Sequence, residues 1–258
     1  MNKKKIIKLG IVGIAGKMGQ AITRLALQDP RISVKAGKES PNHKLLGKDI
    51  GEMLADKPSD IFITDNHKVF YQDIDIVIEF GLEKATIENL NQANKYKVAF
   101  VSGSTGLSSS TIDLMKKLSK KIPVFWAPNM SIGANLLKKL SQELAYKLGS
   151  NFDIDITDLH HKNKKDLPSG TALSIKEGIT EVLKKKKIKK NINISAIRAG
   201  DSTGEHSVIF SGIGEKVILK HISTSRDIFA YGAIEISKWL HNKKPGFYDM
   251  NDFLTVKS

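Results

Sequence analysis

The residues that follow the first apolar run constrain the fold more than any other stretch. Ile7 to Val12 leads into Gly13-Ile14-Ala15-Gly16-Lys17-Met18-Gly19, and a helix-like pattern begins at once. Glycines in that rhythm let the chain turn sharply out of a strand, let its backbone approach an anion, and let the next helix pack closely. The helix N-terminus then offers unpaired amides and the positive end of a dipole. Strand, turn and helix in this order form a dinucleotide fingerprint, whereas an isolated glycine triplet would indicate only a structural turn. At the end of the next expected strand stands Lys38-Glu39-Ser40. Glu39 suits the ribose diol of NAD and Lys38 suits the 2′-phosphate of NADP, so these residues alone leave NADH and NADPH both open. The bland alternative is that Glu39 is a surface-loop carboxylate.

The same alternation continues through the first half. Strands are expected at 6–13, 32–37, 74–80, 98–103 and 124–127, with helices at 18–28, 84–96 and 109–121 between them. That rhythm describes a parallel sheet covered by helices. Two loops after later strands, Gly103-Ser104-Thr105-Gly106 and Ala127-Pro128-Asn129-Met130, fall where open α/β sheets take ligands. They line the nicotinamide side or serve simply as turns. After Ser131 the pattern changes to a helix over 133–148, then strands near 152–160, 191–198, 206–211 and 214–223. One helix, 169–185, interrupts these strands and another, 226–240, follows them, which favours an open mixed sheet and a domain boundary near Met130. A length of 258 residues fits two domains of ordinary size.

Composition narrows the classes of partner. The net charge of +14 raises nucleic acid or a membrane surface as candidates. The lysines are scattered, however, and the dense run Lys184 to Lys187 with Lys189 and Lys190 lies at an expected helix end, where it complements the dipole. No zinc-finger spacing or RNA-binding aromatic motif is present, so the expectation is no nucleic-acid partner and no membrane partner. The apolar stretch near the N-terminus contains Lys8 and runs into glycines, so it reads as a first strand and not as a signal peptide. With no cysteine there is no disulfide framework and no thiolate metal site, and a cytoplasmic location is expected.

The chemistry concentrates in Asp158 to Thr171, DLHHKNKKDLPSGT. A histidine with its ordinary pKa near 6.5 serves as acid or base at neutral pH, which makes His160 a candidate for proton transfer. Lys164 can donate a proton or fix a carboxylate. Ser169, Gly170 and Thr171 open a helix and can offer hydroxyl and amide donors to a second carboxylate. With a hydride carrier, this set describes reduction of a small polyanionic unsaturated acid. Metal binding is the rival reading, but adjacent histidines on a strand face opposite ways and no nearby Cys or third His completes a site, so no metal is expected. The remaining histidines, His43, His67, His206, His221 and His241, have no comparable sequence neighbours and read as structural or exposed.

Taken as an ordered series, GIAGKMG (13–19), GSTG (103–106), APNMSIGAN (127–135), HHKNKKDLPSGTA (160–172), IRAGDSTGEH (197–206), TSR (224–226) and GFYDM (246–250) resemble the 4-hydroxy-tetrahydrodipicolinate (dihydrodipicolinate) reductase family almost end to end. The resemblance implies an α/β protein: a Rossmann-type doubly wound parallel sheet over 1–130 and 241–258, plus an α+β domain with an open mixed sheet over 131–240. The second domain would hold a small dicarboxylate and build a homotetramer. It further implies NADH- or NADPH-dependent reduction in lysine and diaminopimelate biosynthesis. His160 is implied as proton donor or acceptor and Lys164 as proton donor, with His161, Gly170 and Thr171 on the substrate. Gly13, Ile14, Ala15, Gly16, Lys17, Met18 and Glu39, then Gly103, Ser104 and Thr105, then Ala127, Pro128, Asn129 and Met130 are implied on the cofactor.

Some positions depart from the family pattern. Glu79-Phe80-Gly81 stands where relatives have Asp-Phe-Thr, removing a hydroxyl near the cofactor. Lys162 and Asn163 replace an Arg-His pair. Ser40 replaces an arginine that follows the ribose-binding acid, so NADH use comparable to or better than NADPH use is expected. The competing readings are another Rossmann amino-acid or semialdehyde dehydrogenase, and a non-catalytic dinucleotide sensor. Both leave the His-Lys cluster without its role.

Overall fold

The computed structural model divides into two compact units, Met1–Met130 with Phe229–Ser258, and Ser131–Ile228. It describes residues 6–255, so the basic residues 1–5 and the last three of the tail, 256–258, lie outside the described residues.

In the first unit β1 (Ile7–Val12), α1 (Lys17–Gln28), β2 (Ile32–Lys38), α2 (Ile50–Met53), β3 (Ile63–Thr64), α3 (His67–Tyr71), β4 (Ile76–Glu79), α4 (Glu83–Tyr96), β5 (Ala99–Ser102), α5 (Ser109–Leu118) and β6 (Pro123–Trp126) follow one another. Their sheet runs β3, β2, β1, β4, β5, β6, and every neighbouring pair is parallel. The chain winds outward one way from β1 and then the other way from β4. That reversal opens a ligand-binding crevice at the carboxyl ends of the strands. β4 and β5 are buried at every position, as expected for strands covered on both faces. Apolar side chains fill a core on each face, one around Leu9, Ile11 and Ile78 and the other around Phe70, Val77 and Phe100.

The structure adds α2, β3 and α3, which are too short to print a period on the sequence. Asp49 organises this stretch: its carboxylate accepts from the amides of Gly51, Glu52, Ser59 and Ile61 and from the Ser59 hydroxyl. Burial opposes its ionisation, but those hydrogen bonds outweigh burial and hold its pKa down at about 2. α5 ends at Leu118, short of the expected Lys121, because the chain turns there to enter the strand at Pro123.

The second unit contains α6 (Ile132–Leu148), β7 (Asp153–His160), α7 (Gly170–Lys185), β8 (Ile192–Arg198), β9 (Gly204–Gly212) and β10 (Glu215–Ser223). Its sheet order is β10, β9, β7, β8. β7 and β8 are parallel, joined through α7, while β9 is antiparallel to both β7 and β10. Ile154, Ile156, Val208 and Phe210 on one face pack with Leu137, Ile175 and Ile179 of α6 and α7. On the opposite face Ile197, Ile218 and Ile222 remain 50–57% exposed. The lysine run after α7 serves its neighbour: Lys186 donates to the Tyr146 carbonyl, and Lys190 donates to those of Ser150 and Phe152, near the end of α6.

α8 (Asp227–Leu240), β11 (Gly246–Tyr248) and α9 (Met250–Leu254) complete the chain. β11 pairs parallel with β6 as a seventh strand. The first unit resumes at Phe229 and not at 241, because Ala230, Ala233, Ile234, Ile236 and Leu240 of α8 are buried in its core. Among the described residues no helix is long and apolar enough to cross a membrane.

Candidate active site

At the carboxyl end of β1 the glycine loop is held in shape by its own backbone. Gly13 turns with φ +68°, its amide and that of Ile14 donate to the Lys38 carbonyl, and the Gly16 amide donates to the Gly13 carbonyl. A Cβ on Gly19 would stand 2.2 Å from the Gly13 carbonyl oxygen, so only glycine lets α1 start this close to the turn. No side chain caps α1 at Gly16. Its first amides, beginning at Lys17 and Met18, keep the unsatisfied donors that bind a pyrophosphate, so the loop fits the implied dinucleotide. Ile14 is buried, and Met18 packs against the first unit's core.

Glu39 sits beside this loop. One carboxylate oxygen accepts from the Ala15 amide at 2.8 Å and the other from the Ser40 amide at 3.2 Å. Its carboxylate therefore ties the end of β2 to the loop. Ser104, expected on the cofactor, is instead spent on its own loop. Its amide donates to Ser102 Oγ, its carbonyl accepts from Trp126 Nε1, and its hydroxyl donates to Glu79. Gly103 is buried and Thr105 is exposed beside it. In the last loop Ala127 and Met130 are buried, while Pro128 and Asn129 are more open.

Glu79 is fully buried at the carboxyl end of β4. It accepts from the hydroxyls of Thr86, Ser102 and Ser104 and from the Gly81 amide. Burial raises its pKa and these donors only partly offset the rise.

In the second unit the strand register builds a different cluster. Asp158 on β7 pairs with His206 on β9, and His206 pairs with His221 on β10, so the three lie in one row across the inner face. His160, two residues beyond Asp158, shares that face and pairs with Arg198 on β8. Asp158 is fully buried. Its Oδ2 accepts from the Ser169 amide at 2.8 Å and from Arg198 Nη2 at 3.0 Å, and its Oδ1 accepts from the Ser169 hydroxyl at 2.8 Å. His160 Nδ1 and His206 Nε2 lie 3.0 and 3.3 Å from Oδ1. The His160 approach is out of line and closes no hydrogen bond. The rings of His160 and His206 meet edge to face at 5.2 Å, and His206 stacks on His221.

Electrostatics follow from this packing. Burial opposes ionisation of Asp158, but hydrogen bonds from His206, Ser169 and Arg198 outweigh it and hold the carboxyl well below its usual range. Burial pushes His160 down to about 4; Asp158 pulls it up, while His206, Lys164 and Arg198 push it further down. A Cβ on Gly204, which has φ +154°, would reach within 2.9 Å of His160 Nε2, so glycine makes room for the ring.

Around the cluster lie the remaining expected residues. Lys164 Nζ pairs with Asp166 at 2.7 Å, and the Lys164 hydrogen bond and the Gly170 amide both help to lower the Asp166 pKa. His161 Nε2 lies 3.5 Å from Arg226 Nη2. Gly170 and Thr171 form the first turn of α7. Ser169, expected to touch substrate, is 2% exposed and caps that helix through the Ala172 amide, so it supports the turn from beneath. The expectation that His206 and His221 lack comparable neighbours is corrected by the register. Asp158, His160 and His206 also bring ligand atoms within 4.8 Å of one another, which corrects the reason given against a metal. On that carboxylate, however, the guanidinium of Arg198 already supplies the cation.

The family model described as "Dihydrodipicolinate reductase, N-terminus" matches residues 7–130, and that described as "Dihydrodipicolinate reductase, C-terminus" matches 133–254. The chain belongs to the dihydrodipicolinate reductase family. A 4-hydroxy-tetrahydrodipicolinate reductase of Syntrophus aciditrophicus is 37% identical over 98% of this chain and 100% of its own length. One from Wigglesworthia glossinidia brevipalpis is 40% identical over 100% and 97%. In fold, the dipicolinate-bound dihydrodipicolinate reductase of Paenisporosarcina sp. TG-14 superposes with a TM-score of 0.81 at 22% identity, covering 97% of this chain and all of that one. A dihydrodipicolinate reductase therefore has the Rossmann-type unit and mixed-sheet unit found here, and membership of this reductase family carries a nicotinamide cofactor with it.

Proposed function

We propose that this protein reduces 4-hydroxy-2,3,4,5-tetrahydrodipicolinate to 2,3,4,5-tetrahydrodipicolinate with loss of water, in lysine and diaminopimelate biosynthesis. The observation that carries the reading is the joining of His160, Lys164 and the first turn of α7 in one family-matched unit. A bound reduced nicotinamide supplies hydride to C4 of the conjugated ring left when the C4 hydroxyl departs. The chain's own residues bind the dicarboxylate and move protons. The first turn of α7 at Gly170 and Thr171, the positive end of the helix, receives one carboxylate, the Gly170 amide exchanging Asp166 for it. Lys164 serves the substrate as proton donor, exchanging Asp166 for it, and His161 completes the contact. His160, with Nδ1 turned to Asp158, has Nε2 left to the reactant; Nε2 takes a proton from solvent to form the imidazolium, delivers it to the ring carbon beside the hydride acceptor, and the ring returns to its neutral form.

On the cofactor side, the amides from Gly13 to Met18 hold the pyrophosphate, Glu39 meets the ribose, and Gly103, Thr105 and the Ala127–Met130 loop flank the nicotinamide. With Ser40 and not an arginine after Glu39, NADH serves at least as well as NADPH. The protein acts in the cytoplasm as a homotetramer assembled through the open face of the β10-β9-β7-β8 sheet, a reading supported by the exposed Ile197, Ile218 and Ile222.

The test follows NADH and NADPH oxidation at 340 nm with substrate made in situ from pyruvate and aspartate semialdehyde. Turnover with NADH at or above the NADPH rate is expected, and His160→Gln and Lys164→Ala each lower kcat by about 100-fold or more while NADH binding persists. No turnover in the wild-type protein with NADH bound would favour another dehydrogenase or a sensor. Near-normal kcat in either variant would remove that residue from the mechanism.

A further inference from the structure

The catalytic reading uses His160 and the first turn of α7 but leaves unexplained the fully buried carboxylate that touches both. Asp158 has five polar atoms within 3.3 Å: the amide and hydroxyl of Ser169, Nη2 of Arg198, Nδ1 of His160 and Nε2 of His206. A buried charge is costly unless it is paired and hydrogen-bonded, so so complete a set points to a geometry that matters. Arg198 extends the same network, donating at 2.6 Å to the carbonyl of Asp166, the residue that pairs with Lys164.

We infer that Asp158 is a positioning residue: its charge, 3.0 Å from Nδ1, biases the His160 ring towards a proton on that nitrogen, and its hydrogen bonds fix the α7 turn through Ser169, holding proton-transfer group and helix start in one register. Two strands and a helix start converge on this single side chain. A negative charge beside one ring nitrogen favours the tautomer with the proton on that nitrogen and leaves the other to the reactant. Here the ring's buried Nδ1 lies 3.0 Å from Asp158 Oδ1, out of line for a hydrogen bond, so the carboxylate acts on it by its charge at contact distance. Around the imidazole stand Asp158 from β7, His206 from β9, Arg198 from β8 and Lys164 from the loop after β7, and Asp158 is the one carboxylate among them. Its loss leaves only cationic or neutral groups facing His160. Because His206 also stacks on His221, the row continues to β10 along the same face of the sheet.

The kinetic consequence rests on the proposed reaction, but the structural one does not, and the experiment separates them. Histidine 15N NMR of the wild-type protein should show His160 as the Nδ1–H tautomer. In Asp158→Asn the Nδ1–H preference should be lost and the His160 titration should move by about one pH unit or more to lower pH. Turnover should fall by about 100-fold or more with NADH affinity retained. In Ser169→Ala, which cuts the link to α7 and keeps the carboxylate, KM for substrate should rise while the His160 titration stays near wild type. An Nε2–H tautomer in the wild-type protein, or an unchanged tautomer and titration in Asp158→Asn, would overturn the inference whatever the substrate is. Should Asp158→Asn fail to fold, the wild-type tautomer and the Ser169→Ala split still decide it. Absence of tetrahydrodipicolinate reduction by the wild type would strike the proposed reaction and leave the NMR result standing.

Discussion

Single residues here carry consequences that depend on pH. His160 titrates near 4 in the folded protein against about 6.5 for an unhindered imidazole. Between those values the unfolded chain binds the extra proton and the folded one does not, so stability rises with pH across that window. Read downward, the contribution is complete above pH 6.5 and is lost as pH falls through 4. His221, lowered first by burial and then by His206, acts in the same sense. Asp158 contributes at still lower pH, below the ordinary carboxylate pKa of about 3.9. Urea denaturation at pH 7 and pH 4.5 should show wild type losing stability on acidification and His160→Gln losing less. An equal loss in the variant would show that His160 is not held neutral by the fold.

Elements decide how the helix starts of α1 and α7 differ. α1 begins at a glycine with no side-chain cap, whereas α7 begins at Ser169, whose hydroxyl both accepts from Ala172 and donates to Asp158. The first is an uncapped helix start that suits the diphosphate of the proposed cofactor; the second is a turn clamped from below, with Gly170 and Thr171 above the clamp. The start of α1 depends on Gly19 lying against the Gly13 carbonyl. Gly19→Ala puts a methyl into backbone that cannot give way, an overpacking of about 1–3 kcal/mol. NADH should bind about tenfold or more weakly, measured by fluorescence titration, while the His160 titration is unchanged. Wild-type NADH affinity in this variant would mean that α1 does not receive the pyrophosphate. Secondary structure at this scale was legible wherever a period could establish itself: α1, α4, α6, α7 and all four strands of the second sheet. The short α2, β3 and α3 were not, because two to five residues show no period; Asp49 reaching along the chain to Ile61 orders the first stretch and Asn66 caps α3.

For the whole molecule the exposed face of the second sheet sets the expectation. A β-sheet face carrying Ile197, Ile218 and Ile222 is a ready partner for another copy of itself, and symmetric self-pairing closes. Light scattering should give four chain masses in solution, and Ile218→Lys with Ile222→Lys should reduce the mass while leaving the fold intact by circular dichroism. A monomeric wild-type protein would end the tetramer reading. By itself the sequence determined the parallel α/β half, the mixed-sheet half, the glycine loop, and the candidate set His160, Lys164 and Gly170–Thr171, because all of these follow from local period, local turn chemistry or contiguous motif. Tertiary structure alone decided that α8 joins the first unit, that Ser104 bonds Glu79 and Ser169 bonds Asp158, and that His206 and Arg198 surround Asp158 with His221 behind His206. The first depends on core packing of a distant helix and the last on which residues face each other across strands up to 63 positions apart, from Asp158 to His221, and neither leaves a local trace in the chain.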